Sequence, residues 1–364
     1  MTGADEPEIL FERRGHAGLI TLNRPKALNA LTVSMTTAMY RALSEWERDD
    51  TITRVVVRGR GGRAFCAGGD IRQIHDLARR GLDDEVRRFW LAEYHLNAYV
   101  QRYTKPYIAL IEGIVMGGGV GLSLHGSHRV SSERYTLAMP EVGIGFFPDV
   151  GMTHSLPRLA GRAGVYLALT GARIGAGDAR ALGLATHHAA AENFDAITDE
   201  LAGGGAIERA FDRHATAFPE VGPITAHGAT IEACFSADSV AGILARLDAD
   251  GSPFATETAA LMRTRSPHSL CIAHEQMRRG IGMDFAEAMQ AEYRLAMRAM
   301  HWHDFHEGVR AVLVDKDNRP DWRPAALADV DPAGIAEAFT DLPDGDAPTF
   351  DGSATFDGSE RMPS

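Results

Sequence analysis

An α/β fold that gives way to a helical C-terminal region is what this sequence predicts. Two observations carry the prediction. Up to about Ala190, apolar runs of strand length alternate with stripes at helical spacing, the pattern of an α/β layout rather than an all-β one. Beyond about Asn193 the strand signals fade and the remaining apolar positions fall at helical intervals. The expected organisation is a core over residues 1–200, a helical region over 201–338 that completes the site or an interface, and a tail over 339–364. That tail is rich in Asp, Gly, Pro and Ser, has little to bury, and is expected to be disordered.

The elements follow in order. Ile9 to Asn23 alternates as two short strands about Gly15-His16, a hairpin closed by Arg24-Pro25. Thr32 is a suitable N-cap for a helix to about Asp50, with Met35, Met39, Leu43 and Trp46 on one face. Arg54 to Arg58 is a short buried strand ended by a Gly-rich loop, and Asp84 to Tyr103 is a long helix closed by Lys105-Pro106. Tyr107 to Ile111 is a further buried strand. A helix is expected from about Val120 to Gly126 and a strand at Arg129 to Ser131. The prolines and glycines between Met139 and Pro157 indicate loop with one short helix. Ala206 to His214, Thr230 to Leu247, Phe254 to Arg263 and Phe285 to Met300 read as helices.

Composition narrows the function classes. The 364-residue chain carries a net charge of −12, which argues against nucleic-acid binding, where a basic face is the expected footprint. No apolar run reaches the roughly 18–20 residues of a membrane span, and the acidic first residues lack the pattern of a signal or transit peptide. Cys66, Cys234 and Cys271 are far apart and odd in number, so neither a disulfide framework nor a CxxC metal site is expected. These features lead to the expectation of a cytoplasmic protein with no metal and no membrane or nucleic-acid partner.

Three segments carry candidate chemistry. In Arg63-Ala-Phe-Cys-Ala-Gly-Gly-Asp-Ile71, paired glycines let a ligand approach the backbone and leave amide N–H groups pointing outward. In Met116-Gly-Gly-Gly-Val-Gly121, three glycines stand at a helix start, where free N–H groups and the helix dipole favour negative charge. Either loop alone is compatible with a plain strand–helix turn. Together they can supply one N–H each to a developing oxyanion. In Met139 to Gly151, Glu141 and Asp149 lie in an otherwise apolar stretch, where two acids can acquire the separated pKa values that acid–base chemistry needs. Asp149 also reads as a helix cap.

Taken together, these segments resemble the crotonase (enoyl-CoA hydratase/isomerase) superfamily. The strings Ala92-Glu-Tyr94, MGGGVGLSLHG, MPEVGIGFFPDVG and His303 to Asp317 are most similar to its 3-hydroxyisobutyryl-CoA hydrolase branch, over about residues 8 to 335. The resemblance implies a spiral of ββα turns. It implies that the amides of Gly69 and Gly118 hold the thioester oxygen, that Glu141 is the catalytic carboxylate, and that Asp149 positions the substrate hydroxyl or the attacking water. Glu93 resembles a further substrate-contacting acid, with a solvated helix glutamate as the alternative. Lys26, Ala27 and Leu28 resemble the segment that grips coenzyme A, with Arg72 assisting or remaining a surface cation.

The implied reaction is hydrolysis of a short 3-hydroxyacyl-CoA, as in valine catabolism, with coenzyme A as part of the substrate and no other cofactor. A homo-oligomer is implied as well, a trimer or its multiple in the family at large and a smaller assembly in members of the hydrolase branch. One departure separates this chain from the hydratases, which place a second glutamate where Gly121 stands. Hydration or isomerisation on the same fold, and a non-catalytic acyl-CoA-binding role, are the competing readings. Gly121-Leu-Ser-Leu-His125 lacks the last glycine of a nucleophile elbow, and His303, His306 and Glu307 lack the spacing of a zinc motif.

Overall fold

The computed structural model describes residues 6–342 and 348–353. Its first element is the expected hairpin, β1 (Ile9–Arg14) antiparallel to β2 (Ala17–Leu22), turning at Gly15 with φ +53°. Beside β2, four strands run parallel in the order β3 (Arg54–Gly59), β5 (Tyr107–Ile111), β7 (His128–Ser131) and β9 (His187–His188). Parallel neighbours need crossovers, and three helices provide the early ones: α1 (Val33–Glu47), α2 (Ile71–Arg79) and α3 (Asp83–Gln101). Thr32 caps α1 by accepting from Met35 N–H, and Asp70 caps α2 by accepting from Gln73 N–H.

The inner strands β2, β3 and β5 are buried on both faces and read as apolar runs, while the edge strand β1 is largely exposed. Val55 and Val57 face the main core, while Val56 faces a smaller cluster under the helices Phe194–Ala202 and Ile207–His214.

A second sheet of three short parallel strands had no counterpart in the expected elements. Its order is β4 (Ala64–Cys66), β6 (Ile114–Met116), β8 (Thr136–Ala138). Three-residue strands are too short to display a two-residue period. This small sheet presents the ends of both glycine loops side by side. α4 (Gly118–Leu124) begins at Gly118, two residues earlier than expected, directly after β6.

No strand follows β9 among the described residues. The stretch expected as one helix from Thr230 to Leu247 is two, Gly228–Phe235 and Val240–Asp250, divided where Ser239 caps the second by accepting from Gly242 N–H. The helix Pro267–Gly280 was not anticipated, and Phe285–Ala299 was. One apolar core runs from Leu22 in β2 through α3 to Met297. Residue 200 falls inside the helix Phe194–Ala202, and the core continues on both sides of it.

Part of the expected disordered tail is corrected. Residues 348–353 are described, and Phe350 is buried with its ring 4.9 Å from that of His95 and 6.4 Å from that of Tyr94. One aromatic ring among polar residues is enough to seat the segment on α3. Residues 343–347 and 354–364 lie outside the described residues.

Candidate active site

The two glycine loops meet at the end of the small sheet. Gly117 sits at φ +46° and Gly68 at φ +113°, conformations open to glycine at little cost, and these turns carry the chain from strand to helix at each loop. A Cβ on Gly118 would lie 3.2 Å from Gly69 N, so the two amides are neighbours. Gly118 is the first residue of α4 and its N–H has no acceptor within that helix. The Gly69 loop is held by Leu31, whose N–H donates to Gly68 O at 2.9 Å and whose O accepts from Asp70 N–H at 2.9 Å. That leaves Gly69 N–H outside the pairing.

Three carboxylates close on this point. A Cβ on Gly118 would stand 2.1 Å from Glu93 Oε1, and one on Gly117 would stand 3.2 Å from Glu141 Oε1. Only glycines allow both acids so near the backbone. Glu93 comes from the middle of α3, Glu141 from the 3-10 turn Glu141–Ile144, and Asp149 from the loop before α5 (Met152–Ser155). All three are buried. Glu93 is thus no solvated helix residue.

Asp149 is not a helix cap either. α5 is capped at Gly151 without a side chain, and Asp149 Oδ2 instead accepts from Tyr94 Oη at 2.9 Å. Among the described residues, Glu93 Oε1 and Glu141 Oε2 are buried with no hydrogen-bond partner, as are both amide atoms of Asn97, one turn beyond Glu93. Unpaired buried polar atoms are rare and call for a ligand or water to complete them.

The electrostatics follow from burial. Loss of solvent, then repulsion from Asp149, raises Glu93 well above the carboxylate range. Burial, then Asp149 and Glu93, does the same to Glu141. Asp149 is pushed up to about 7 by burial against the lowering effect of the Tyr94 hydrogen bond. Such displaced acids mark a site equipped for proton transfer at neutral pH. The apolar wall is aromatic, with Trp90 stacked on Phe146 at 5.7 Å and Phe305 5.6 Å from Phe146.

Lys26 and Ala27 lie in the exposed turn Pro25–Ala27, and Leu28 O accepts from Ala67 N–H at 3.0 Å, which brings the segment alongside the Gly69 loop. Arg72 is exposed in the first turn of α2, three residues past Gly69. A surface cavity of about 410 Å³ lined by Leu19, Arg58 and Phe194 touches none of the three acids and has no part in this site. Among the described residues no group of three or more His, Cys, Asp or Glu has the arrangement to hold a metal ion, and no helix is long and apolar enough to cross a membrane.

Sequence reasoning missed Tyr94, Asn97, Gln276 and Glu292. Glu292 is wholly buried on the helix Phe285–Ala299 and accepts from Gly151 N–H at 2.7 Å and Thr153 N–H at 2.8 Å. Gln276 donates to Pro148 O at 2.5 Å. A signal for Glu292 existed: it shares the apolar stripe of Ala288, Met289, Leu295 and Ala296, and an acid on such a stripe is unusual.

Gly121 faces Asn97 and Val150. A Cβ there would lie 2.7 Å from Asn97 Nδ2 and 2.7 Å from Val150 Cβ, so the volume where hydratases place their second glutamate is already filled. Gly121→Ala is expected to destabilise the protein by about 1–3 kcal/mol through overpacking, read as a lower urea midpoint. An unchanged midpoint would show that the space is open after all.

This fold and this pairing of glycine loops with a buried glutamate define a class. A family model described as enoyl-CoA hydratase/isomerase matches residues 17–339, and the chain belongs to that crotonase family. Within it, the chain is 44% identical over 346 residues to the mitochondrial 3-hydroxyisobutyryl-CoA hydrolase of Rattus norvegicus, covering 92% of this chain and 89% of that one. The Homo sapiens protein of the same name is 42% identical over 344 residues, with 92% and 89% covered.

Among solved structures, a carnitinyl-CoA dehydratase from Mycobacterium thermoresistibile superposes with a TM-score of 0.89 at 42% identity, covering 93% of this chain and 98% of that one. An enoyl-CoA hydratase from Rhodobacter sphaeroides gives 0.87 at 38%, with 94% and 100% covered. The cytoplasmic location expected above is overturned by the mitochondrial relatives. Three unpaired cysteines fit any reducing compartment and single out none.

Proposed function

We propose that this protein hydrolyses 3-hydroxyisobutyryl-CoA to 3-hydroxyisobutyrate and coenzyme A, a step of valine catabolism. The observation that carries the reading is the buried Glu141 set against the adjoining Gly69 and Gly118 amides, with no room at residue 121 for the second glutamate of water addition.

In this reading the thioester oxygen receives the Gly69 and Gly118 N–H groups, which are aimed at the charge that develops as the carbonyl is attacked. Glu141 takes a proton from water while the water oxygen bonds to the carbonyl carbon. The tetrahedral adduct then collapses, the C–S bond breaks, and the proton passes from Glu141 to the departing sulfur. Alternatively Glu141 attacks first, releasing the thiolate and forming a mixed anhydride that water then cleaves. Lys26, Ala27, Leu28 and Arg72 grip the coenzyme A portion. Asp149 and Glu93 meet the substrate hydroxyl.

Hydration is the second reading, favoured by the names of the two superposed structures. Thiol release across a panel of acyl-CoAs decides between them. Release of CoA-SH is expected from 3-hydroxyisobutyryl-CoA, and more slowly from 3-hydroxypropionyl-CoA. Rapid hydration of crotonyl-CoA with no thiol released would establish the second reading and dismiss the first.

A further inference from the structure

We infer that Glu292 is the positioning residue that aims Asp149 at the substrate hydroxyl. The inference rests on the reading of Asp149 given under Proposed function and extends it to a helix remote in sequence.

The loop after Asp149 is under tension. Val150, a β-branched residue, adopts φ +58°, and Gly151 follows at φ +88°. A β-branched side chain in the left-handed region costs energy and persists only where the surroundings hold it. The ties that hold it are specific. Glu292 Oε2 accepts from Gly151 N–H at 2.7 Å and Oε1 from Thr153 N–H at 2.8 Å.

Gly151 offers no capping side chain to α5, so Glu292 does that work from across the core. His125, kept neutral by burial, donates from Nε2 to Val150 O at 2.7 Å. Gln276 donates to Pro148 O at 2.5 Å and to Thr153 Oγ1 at 2.6 Å. Of these groups only Glu292 has both polar atoms committed to backbone amides, one in the loop and one in α5, so it restrains the turn at two points.

Glu292 is also near enough to Asp149 to feel its charge: burial first, then Asp149, pushes the Glu292 carboxyl up to about 8 against its backbone hydrogen bonds. Asp149 is thereby fixed from two sides, by Tyr94 at its carboxylate and by Glu292 through the backbone two residues on. A positioning error of a fraction of an ångström in such a group weakens the one bond that distinguishes a hydroxylated acyl chain. The backbone amides that Glu292 holds belong to Gly151 and Thr153, not to Glu141 or the glycine loops.

The test is kcat/KM for 3-hydroxyisobutyryl-CoA and isobutyryl-CoA in wild type, Glu292→Gln, Asp149→Asn and the double variant. Glutamine keeps the shape but turns an NH2 toward one of the two amides. The ratio of the two substrates is expected to fall about tenfold in Glu292→Gln, the effect of one weakened hydrogen bond. Isobutyryl-CoA turnover stays within about twofold, since no hydroxyl is read. In the Asp149→Asn background, Glu292→Gln should change the ratio no further.

Equal losses for both thioesters, or an additive effect in the double variant, overturn the inference and leave a purely structural helix cap. Should the glutamine variant not fold, Glu292→Asp, which withdraws the carboxylate by one methylene, is read by the same ratio. A wild type that turns over both substrates equally removes the reading of Asp149 and this inference with it. A discriminating wild type with an unchanged ratio in the variant removes the inference alone.

Discussion

Replacing Glu141 by Gln is expected to lower kcat for thiol release by about 10²–10⁴-fold, the range for a lost general base. The substitution is nearly isosteric, so the fold and the approach of residue 141 to Gly117 should survive. What disappears is a carboxylate that burial, then Asp149 and Glu93, hold well above its ordinary pKa, and hence its strength as a base. A larger loss is expected if Glu141 is the nucleophile, because the covalent route then closes entirely.

Hydrolysis in ¹⁸O-water tests the covalent route. After many turnovers, label in the Glu141 carboxylate establishes an anhydride that water opens at the glutamyl carbon, whereas label only in the released acid is the result of direct attack by water or of opening at the acyl carbon. A Glu141→Gln enzyme with near-normal kcat would take the residue out of the mechanism.

The second large effect concerns the hydroxyl. Isobutyryl-CoA is expected to be about 10²-fold poorer than 3-hydroxyisobutyryl-CoA in kcat/KM. A site whose buried polar groups depend on a substrate hydroxyl can reject the analogue lacking it by about 10⁴–10⁵-fold. Here the ratio should be smaller, because Tyr94 already satisfies one oxygen of Asp149. Glu93 Oε1 has no such partner and is the acceptor left waiting.

Asp149→Asn or Asp149→Ala should lower the rate on the hydroxylated thioester and narrow the gap between the two substrates. Steady-state kinetics on both thioesters with wild type and variants measure it. Equal turnover by wild type would show that the hydroxyl goes unread and that Asp149 serves only its bond to Tyr94.

Much of this was legible from residue types in order. The hairpin at Gly15, the helix begun by Thr32 and the buried strand at Val55 to Val57 all announce themselves through local patterns: a turn residue, a cap, a run of β-branched side chains. The glycine clusters at 68–69 and 117–119 and the acids Glu141 and Asp149 stand out for the same reason. Such chemistry is written in consecutive residues, and a reader of the chain meets it in order.

Only the tertiary structure decided how these pieces meet. The small sheet that brings Gly69 beside Gly118 is made of strands too short to carry a period. Asp149 read equally well as a helix cap until Tyr94, from the middle of α3, turned out to hold it. Glu93 could have been a solvated residue until α3 proved buried from Phe89 to Val100. Glu292 and Gln276 lie more than a hundred residues beyond the loop they restrain; the apolar stripe around Glu292 marks it as unusual, but not which loop it holds. The physical reason is common to all four: helix and strand signals come from neighbours in sequence, whereas the partner of a buried polar group is set by packing between distant segments.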